Sequence, residues 1–249
     1  MALELGSRLF DSLPELRYFG TAKRVRAVVG GQTVVDSTRA RLVWEPRRLV
    51  PSYAVPVGDV RAELVPATAA ATTERPVHLG EGPPMLDPRT SFAVHTCDGY
   101  VVLDFHAFDE WLEEDDPIVG HPRDPFKRID TRGSSRHVVL ETAGVTIADS
   151  TRPTLLFETY LPTRYYLPRD DVRMDLLRPS ETRTICAYKG HASYWSAIVD
   201  GTELADVAWT YREPQHDAVP VRDLVCFFDE RVDLTLDGQR LDRPITPWS

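Results

Sequence analysis

Hydrophobic and polar positions alternate over short runs along most of the chain, a period of two that predicts β-strands. Arg24-Val25-Arg26-Ala27-Val28-Val29 alternates, Gly30-Gly31 breaks the run, and Gln32 to Val35 returns. A two-residue Gly-Gly link supplies the positive φ angles of a tight hairpin. The same grammar recurs in His137 to Thr142, Ala143-Gly144 and Val145 to Ala148. Strand-like runs follow at Ala40 to Glu45 and at Thr154 to Glu158. Arg183 to Val199 is rich in aromatic and β-branched residues, Asp200-Gly201 marks another hairpin turn, and Thr202 to Tyr211 returns. Leu224 to Phe228 and Val232 to Leu236 close the predicted sheet. Helical spacing is confined to two places. Leu5, Leu9, Leu13 and Leu16 predict a short amphipathic helix at the start, and Phe108 to Glu114 predicts a second.

The pattern also repeats. Residues 34–45 and 147–158 share Asp36/Asp149, Ser37/Ser150, Thr38/Thr151, Arg39/Arg152, Leu42/Leu155 and Glu45/Glu158 at an offset of 113. Farther on, Tyr53/Tyr165, Pro56/Pro168, Asp59/Asp171, Val60/Val172 and Arg61/Arg173 recur at an offset of 112. Self-similarity of this kind divides a chain into related modules. The expected fold is therefore mainly β, α+β at most: two related small antiparallel β modules from an internal duplication, with a short N-terminal helix. The expected boundaries are 1–22 for the helical segment, 23–115 for a degenerate first module, 116–135 for a linker and 136–249 for a complete second module. The first module lacks a counterpart to most of Arg183 to Leu236, and its Ala/Thr/Pro/Gly-rich stretch from Pro66 to Pro88 reads as loop. Within the linker, residues 121–130 are too charged for a plain spacer and suggest a strap across the two modules. For 169–177 two readings stand: a proline-led helical turn, or a strand in which Val172, Met174 and Leu176 alternate.

Charge and composition remove several function classes. The net charge of −9 speaks against nucleic-acid binding, which needs surplus Lys and Arg to neutralise phosphates. No run approaches the twenty or so apolar residues of a membrane span, and the broken apolar start is no signal peptide. Three cysteines without Cys-x-x-Cys spacing fit a reducing cytoplasm, and no His-x-x-x-His or His-Glu-x-x-His spacing suggests a metal site. The basic stretch Lys23 to Arg48 and the acidic stretch Asp109 to Asp116 read as solvated faces.

The two copies act as controls for each other. Residues present in both are explained by folding, whereas Tyr166, Arg169 and Asp170 replace Ala54, Val57 and Gly58. Only the second copy has Thr184 to Trp195. Lys189, between Tyr188 and Gly190, suits a carboxylate or phosphate, or a Schiff base once desolvated; its bland alternative is an exposed cation on a tyrosine face. Arg164 and Arg169 flank Tyr165-Tyr166 and could clamp a planar or anionic ligand, or pair with Asp170, Asp171 or Glu158. Asp170 and Asp171 are candidates for a general base or for binding a metal, against a role in stabilising the turn. Cys186 and His191 have the chemistry of a nucleophile and base, although an inert strand cysteine is the simpler reading. Trp195, Trp209 and Tyr211 supply core, with one ring left to line a pocket.

Taken together, Asp-Ser, then Tyr-Tyr-Leu-Pro-Arg-Asp-Asp-Val, then Cys-x-Tyr-Lys-Gly-x-Ala-x-Tyr-Trp, then Ala-Trp-x-Tyr-x-x-Pro resembles the domain-of-unknown-function 427 family. The chain is similar to the family's tandem form, common in actinobacteria, which implies a bacterial protein. The second copy covers the pattern nearly end to end; the first matches its first half and lacks the Lys-Gly segment. The family at times carries a nucleotidyltransferase label, but the chain has neither a Gly-rich phosphate loop opening a helix nor a P-loop lysine. The expected function is binding of a small polar or anionic metabolite in the second module or at the module interface, with enzymatic activity left open. Lys189, Asp170 and Asp171 are the proton-handling candidates. Arg164, Tyr165, Tyr166, Arg169, Cys186, Tyr188, Gly190, Tyr194 and Trp195 are the ligand-binding candidates. No metal, nucleic-acid or membrane partner is expected. Cofactor and oligomeric state are not specified by the residues. The alternative is a non-catalytic scaffold or protein-interaction module.

Overall fold

The chain divides into two compact units, Met1–Asp124 and Pro125–Ser249. The computed structural model describes residues 14–46, 48–62, 65–66, 85–86 and 99–246. Unit one holds β1 (Arg17–Gly20), β2 (Val25–Val29), β3 (Gln32–Ser37), β4 (Arg41–Trp44), β5 (Ser52–Pro56), β6 (Val65–Pro66), β7 (Met85–Leu86), β8 (Tyr100–Leu103), β9 (Glu110–Glu113) and β10 (Asp116–Ile118). Unit two holds β11 (Ile129–Gly133), β12 (Val138–Thr142), β13 (Val145–Ser150), β14 (Thr154–Glu158), β15 (Arg164–Leu167), β16 (Leu177–Cys186), β17 (Gly190–Val199), β18 (Thr202–Pro214), β19 (Val225–Phe227), β20 (Asp233–Leu236) and β21 (Gln239–Arg240). Among the described residues, helical structure amounts to short 3-10 turns, so the protein is mainly β, as the alternation predicts.

Each unit buries its core between two antiparallel sheets. In unit one, the order β1-β4-β5-β8 faces β10-β9-β2-β3 across Val25, Val35, Leu42, Tyr53, Val101 and Trp111. In unit two, seven strands in the order β11-β14-β15-β19-β18-β17-β16 face β13-β12-β20-β21 across Val138, Ile147, Leu167, Trp195, Val225 and Leu234. Two apolar sheet faces thus bury each other, which is how such strands remove their hydrophobic stripes from water.

The expected hairpins form. Gly30-Gly31, Ala143-Gly144 and Asp200-Gly201 all have positive φ and close β2–β3, β12–β13 and β17–β18. Asp237-Gly238 closes a fourth, β20–β21, whose last strand is too short to announce itself by alternation.

Two expectations need revision. Phe108 to Glu114 is not helical: Glu110–Glu113 is β9, paired with β2 at Ala27↔Trp111 and Val25↔Glu113. The misleading residue is Glu113. It reads as a solvent position, yet it is buried, because Tyr53 donates to it at 2.8 Å and Lys23 also donates to it. Of the expected N-terminal helix, Leu5, Leu9 and Leu13 lie outside the described residues, and the chain beyond Leu16 is edge strand β1. Most of the loop stretch Pro66 to Pro88 also lies outside them. For 169–177 the structure selects two 3-10 turns, Arg169–Asp171 and Met174–Leu176, before β16 begins. The segment expected as linker contributes β10 to unit one and β11 to unit two.

The recurring residues make the same contacts in both units. Ser37 donates to Asp59 at 2.7 Å and Ser150 to Asp171 at 2.7 Å. Arg39 and Arg152 complete the two latches at 2.6 and 2.8 Å. Val35 bridges Val60 as Ala148 bridges Val172. Glu114 and Asp237 each accept from a backbone N–H, of Arg24 and His137 respectively, at 2.8 and 2.9 Å. At the position where Arg24 clamps Asp36, His137 meets Asp149 at 2.7 Å. Among the described residues, the long meander β16-β17-β18 is seen in unit two alone.

Candidate functional site

The pleat of β15 separates the expected ligand residues. Side chains alternate across a strand, so Tyr165 and Leu167 pack into the core between the two sheets. Tyr166 points the other way, into a second cluster with Leu156, Trp209, Tyr211 and Cys226. Tyr194 and Trp195 divide likewise: Tyr194 packs on the outer cluster, Trp195 in the inner core.

The outer face carries most of the charge. Glu158 ends β14 with its side chain only 4% exposed. Lys189 donates to one of its oxygens, and Lys127 lies 3.1 Å from the other. Burial alone would raise the Glu158 pKa, but the charges of Lys189 and Lys127 prevail and hold it below its usual value. Lys189 is placed by the tight turn from β16 to β17. Its carbonyl accepts from the Gln215 amide at 3.1 Å. Gly190 follows at φ +92°, and a Cβ there would sit 3.3 Å from both the Gln215 nitrogen and the Glu213 oxygen. Gly190 therefore serves close backbone packing. Lys127 is placed by the clasp between Arg128 and Thr159, at 2.9 and 3.1 Å. Its ammonium lies 5.6 Å from the Tyr188 ring centroid. The tyrosine-face contact foreseen for Lys189 thus belongs to Lys127, and Lys189 is a largely buried, paired cation.

Arg164 is on the same face and is fully engaged. It holds Glu230 with two hydrogen bonds of 2.6 and 2.8 Å, also donates to Asp229, and lies over Trp209 and Phe228. Burial opposes its charge, but Glu230 and Asp229 prevail and keep its pKa above the usual arginine value. Tyr166 is wholly buried and accepts from Trp209 Nε1 at 3.1 Å. Burial pushes its phenol pKa well up, so it stays protonated. Tyr194 shares a 2.8 Å hydrogen bond with Thr184. Cys186 is half-buried opposite Gly190, while His191 is exposed opposite Ile185. Cys226 is buried, which drives its thiol pKa up and leaves it inert.

The inner face and its rim hold the remaining candidates. Arg169 stacks on Trp195, its guanidinium carbon 5.2 Å from the ring centroid. Asp171 is committed to the latch; the Arg152 hydrogen bond keeps its pKa low. Asp170 is exposed. The structure thus brings together Lys189, Tyr188, Arg164, Tyr166 and Tyr194 on one face, and places Tyr165, Arg169 and Trp195 on the other. Sequence reasoning missed Lys127 and gave Glu158 no role beyond the repeat and a generic ion pair. The signal was the dense charge of residues 121–130. Among the described residues, no group of His, Cys, Asp and Glu is arranged to hold a metal ion, and no helix is long and apolar enough to cross a membrane.

Residues 130–238, from β11 to the β20–β21 turn, match the family model described as a domain of unknown function (DUF427). No curated protein matches the chain.

Proposed function

We propose that the chain is a tandem duplication of this domain, working in the cytoplasm, whose second unit binds a small polar or anionic metabolite through the ammonium groups of Lys127 and Lys189. The observation that carries this reading is that two lysines, with side chains 13% and 12% exposed, share one buried carboxylate. One negative charge cancels only one of the two cations. Each ammonium has three N–H donors and directs one toward Glu158, so donors remain for a phosphate or carboxylate oxygen. At the equivalent position of unit one, Glu45 meets an arginine, Arg48, at 3.1 Å. Tyr188, under Lys127, supplies a ring against which a ligand could pack.

With Asp171 latched and Asp170 exposed, Lys189 is the group left for any proton transfer. The scaffold reading draws on a different observation, the pairing of the one Arg164 cation with two carboxylates, Glu230 and Asp229.

A melting-temperature screen of the full chain against nucleotides, sugars, acyl carriers and amino acids tests the proposal. At least one anionic metabolite should stabilise the protein by mass action, and a folded Lys189→Met variant should lose that response. Silence across the panel would favour the scaffold.

A further inference from the structure

We propose a second ligand site, independent of the lysine pair, on the inner face of the seven-stranded sheet: Arg169, Trp195 and Thr210 together receive a carboxylate or another small oxyanion. Trp195 is 8% exposed and Thr210 is 1% exposed. The Trp195 Nε1 and Thr210 Oγ1 atoms are both buried without a hydrogen-bond partner among the described residues. Natural proteins pair nearly all such groups, so two orphans on one face call for an explanation.

Their placement is not accidental neighbourhood in sequence. On β17 and β18, Trp195 lies opposite Ala208 and Ser193 opposite Thr210. Thr210 is therefore the diagonal neighbour of Trp195 on the adjacent strand, facing the same side as Val225 and Leu167. Arg169 begins the 3-10 turn that leaves β15, and its guanidinium covers the Trp195 ring. Among the described residues Arg169 has no carboxylate partner, whereas Arg152, Arg164 and Arg173 each have at least one. Asp171, two residues on, is taken by Ser150 and Arg152.

The three groups are an indole N–H, a hydroxyl and a guanidinium fork. All donate, and the fork matches the two oxygens of a carboxylate. Nε1 and Oγ1 are both buried, so on this proposal the ligand reaches them by displacing Arg169 from the Trp195 ring, where ring stacking rather than an ion pair holds it. Unit one offers the contrast. Its residue equivalent to Arg169 is Val57, and it has no counterpart of Trp195 or Thr210.

The test is a titration of the ¹⁵N-labelled full chain with acetate and, separately, inorganic phosphate, following the indole N–H signals, with Trp195 assigned by Trp195→Phe. The Trp195 signal should shift saturably with at least one probe; which probe acts distinguishes carboxylate from phosphate recognition. Arg169→Gln should weaken that response at least tenfold, Thr210→Val should weaken it to a lesser degree, and Lys189→Met should leave it unchanged. The same spectra show that each variant is folded. No saturable shift with either probe would overturn the proposal, as would an equal response in Arg169→Gln. A Trp195 signal that exchanges with an internal water and ignores both probes would also overturn it. Loss of the response in Lys189→Met alone would assign it to the other face and overturn this site.

Discussion

Lys189 hydrogen-bonds Glu158 across 31 positions of sequence, and Lys127 reaches the same carboxylate from the N-terminal side. Glu45, at the matching position in unit one, has Arg48 instead. One repeated glutamate thus meets an arginine in one unit and two lysines in the other.

The cluster should behave non-additively. Lys189→Met or Lys127→Met alone leaves Glu158 one partner, and each should cost about 1–2 kcal/mol. The double variant strands a buried carboxylate and should cost about 3–5 kcal/mol. Urea unfolding of the four proteins measures the coupling.

Stability should fall on acidification through the usual glutamate range near 4.5. The pKa of Glu158 is depressed in the folded state, so in the window between the folded and unfolded values the unfolded chain binds more protons. The stabilisation is present above the unfolded value and is lost as pH drops through the folded one. Glu158→Gln, although less stable at neutral pH, should show a shallower decline. Asp229 acts in the opposite sense: burial pushes its pKa up. Its contribution is present below the unfolded aspartate value and lost as pH rises through the raised one, so Asp229→Asn should gain relative stability toward neutral pH. Urea midpoints across pH test both signs.

The two latches should be of similar worth. Ser37–Asp59–Arg39 and Ser150–Asp171–Arg152 share residue types and side-chain exposure, Asp59 and Asp171 both being 16% exposed, and Arg152 adds a second hydrogen bond from Nε at 3.0 Å. Asp59→Asn and Asp171→Asn should each cost about 1–2 kcal/mol. Resolved melting of the two units would show which transition moves in each variant. A far larger effect of Asp171→Asn on ligand binding than on stability would return Asp171 to the functional set.

Tyr166 should be a core residue with one polar duty. Tyr166→Phe leaves Trp209 Nε1 without its acceptor and should cost about 1–3 kcal/mol. Tyr166→Ala should cost about 3–5 kcal/mol through the cavity it leaves. Guanidinium unfolding monitored at Trp209 distinguishes the two.

Much of the architecture was legible because strand alternation and turn residues are local signals. Gly30-Gly31, Ala143-Gly144 and Asp200-Gly201 specify their hairpins without help from distant contacts. The Asp-Ser-Thr-Arg repeat was also legible, and its meaning became physical once Ser150 and Arg152 were seen on Asp171. Phe108 to Glu114 misled because Glu113 is buried by Tyr53, 60 residues away, an interaction no local pattern encodes. The candidate site was legible as a set of residue types and not as a place. Tyr165 and Tyr166 are adjacent in sequence, yet the pleat sends them to opposite faces. Lys127 was hidden because its partner Glu158 is met only when β11 pairs with β14.

In the proposed function, Lys127 and Lys189 jointly receive an oxyanion. Calorimetric titration of the full chain with inorganic phosphate and with acetate tests it most directly, comparing the native sequence with Lys127→Met, Lys189→Met and Arg169→Gln. The expected result is a saturable component that both lysine variants weaken at least tenfold and Arg169→Gln leaves in place. Absence of any saturable binding in the native protein, or a component indifferent to both lysines, would contradict it.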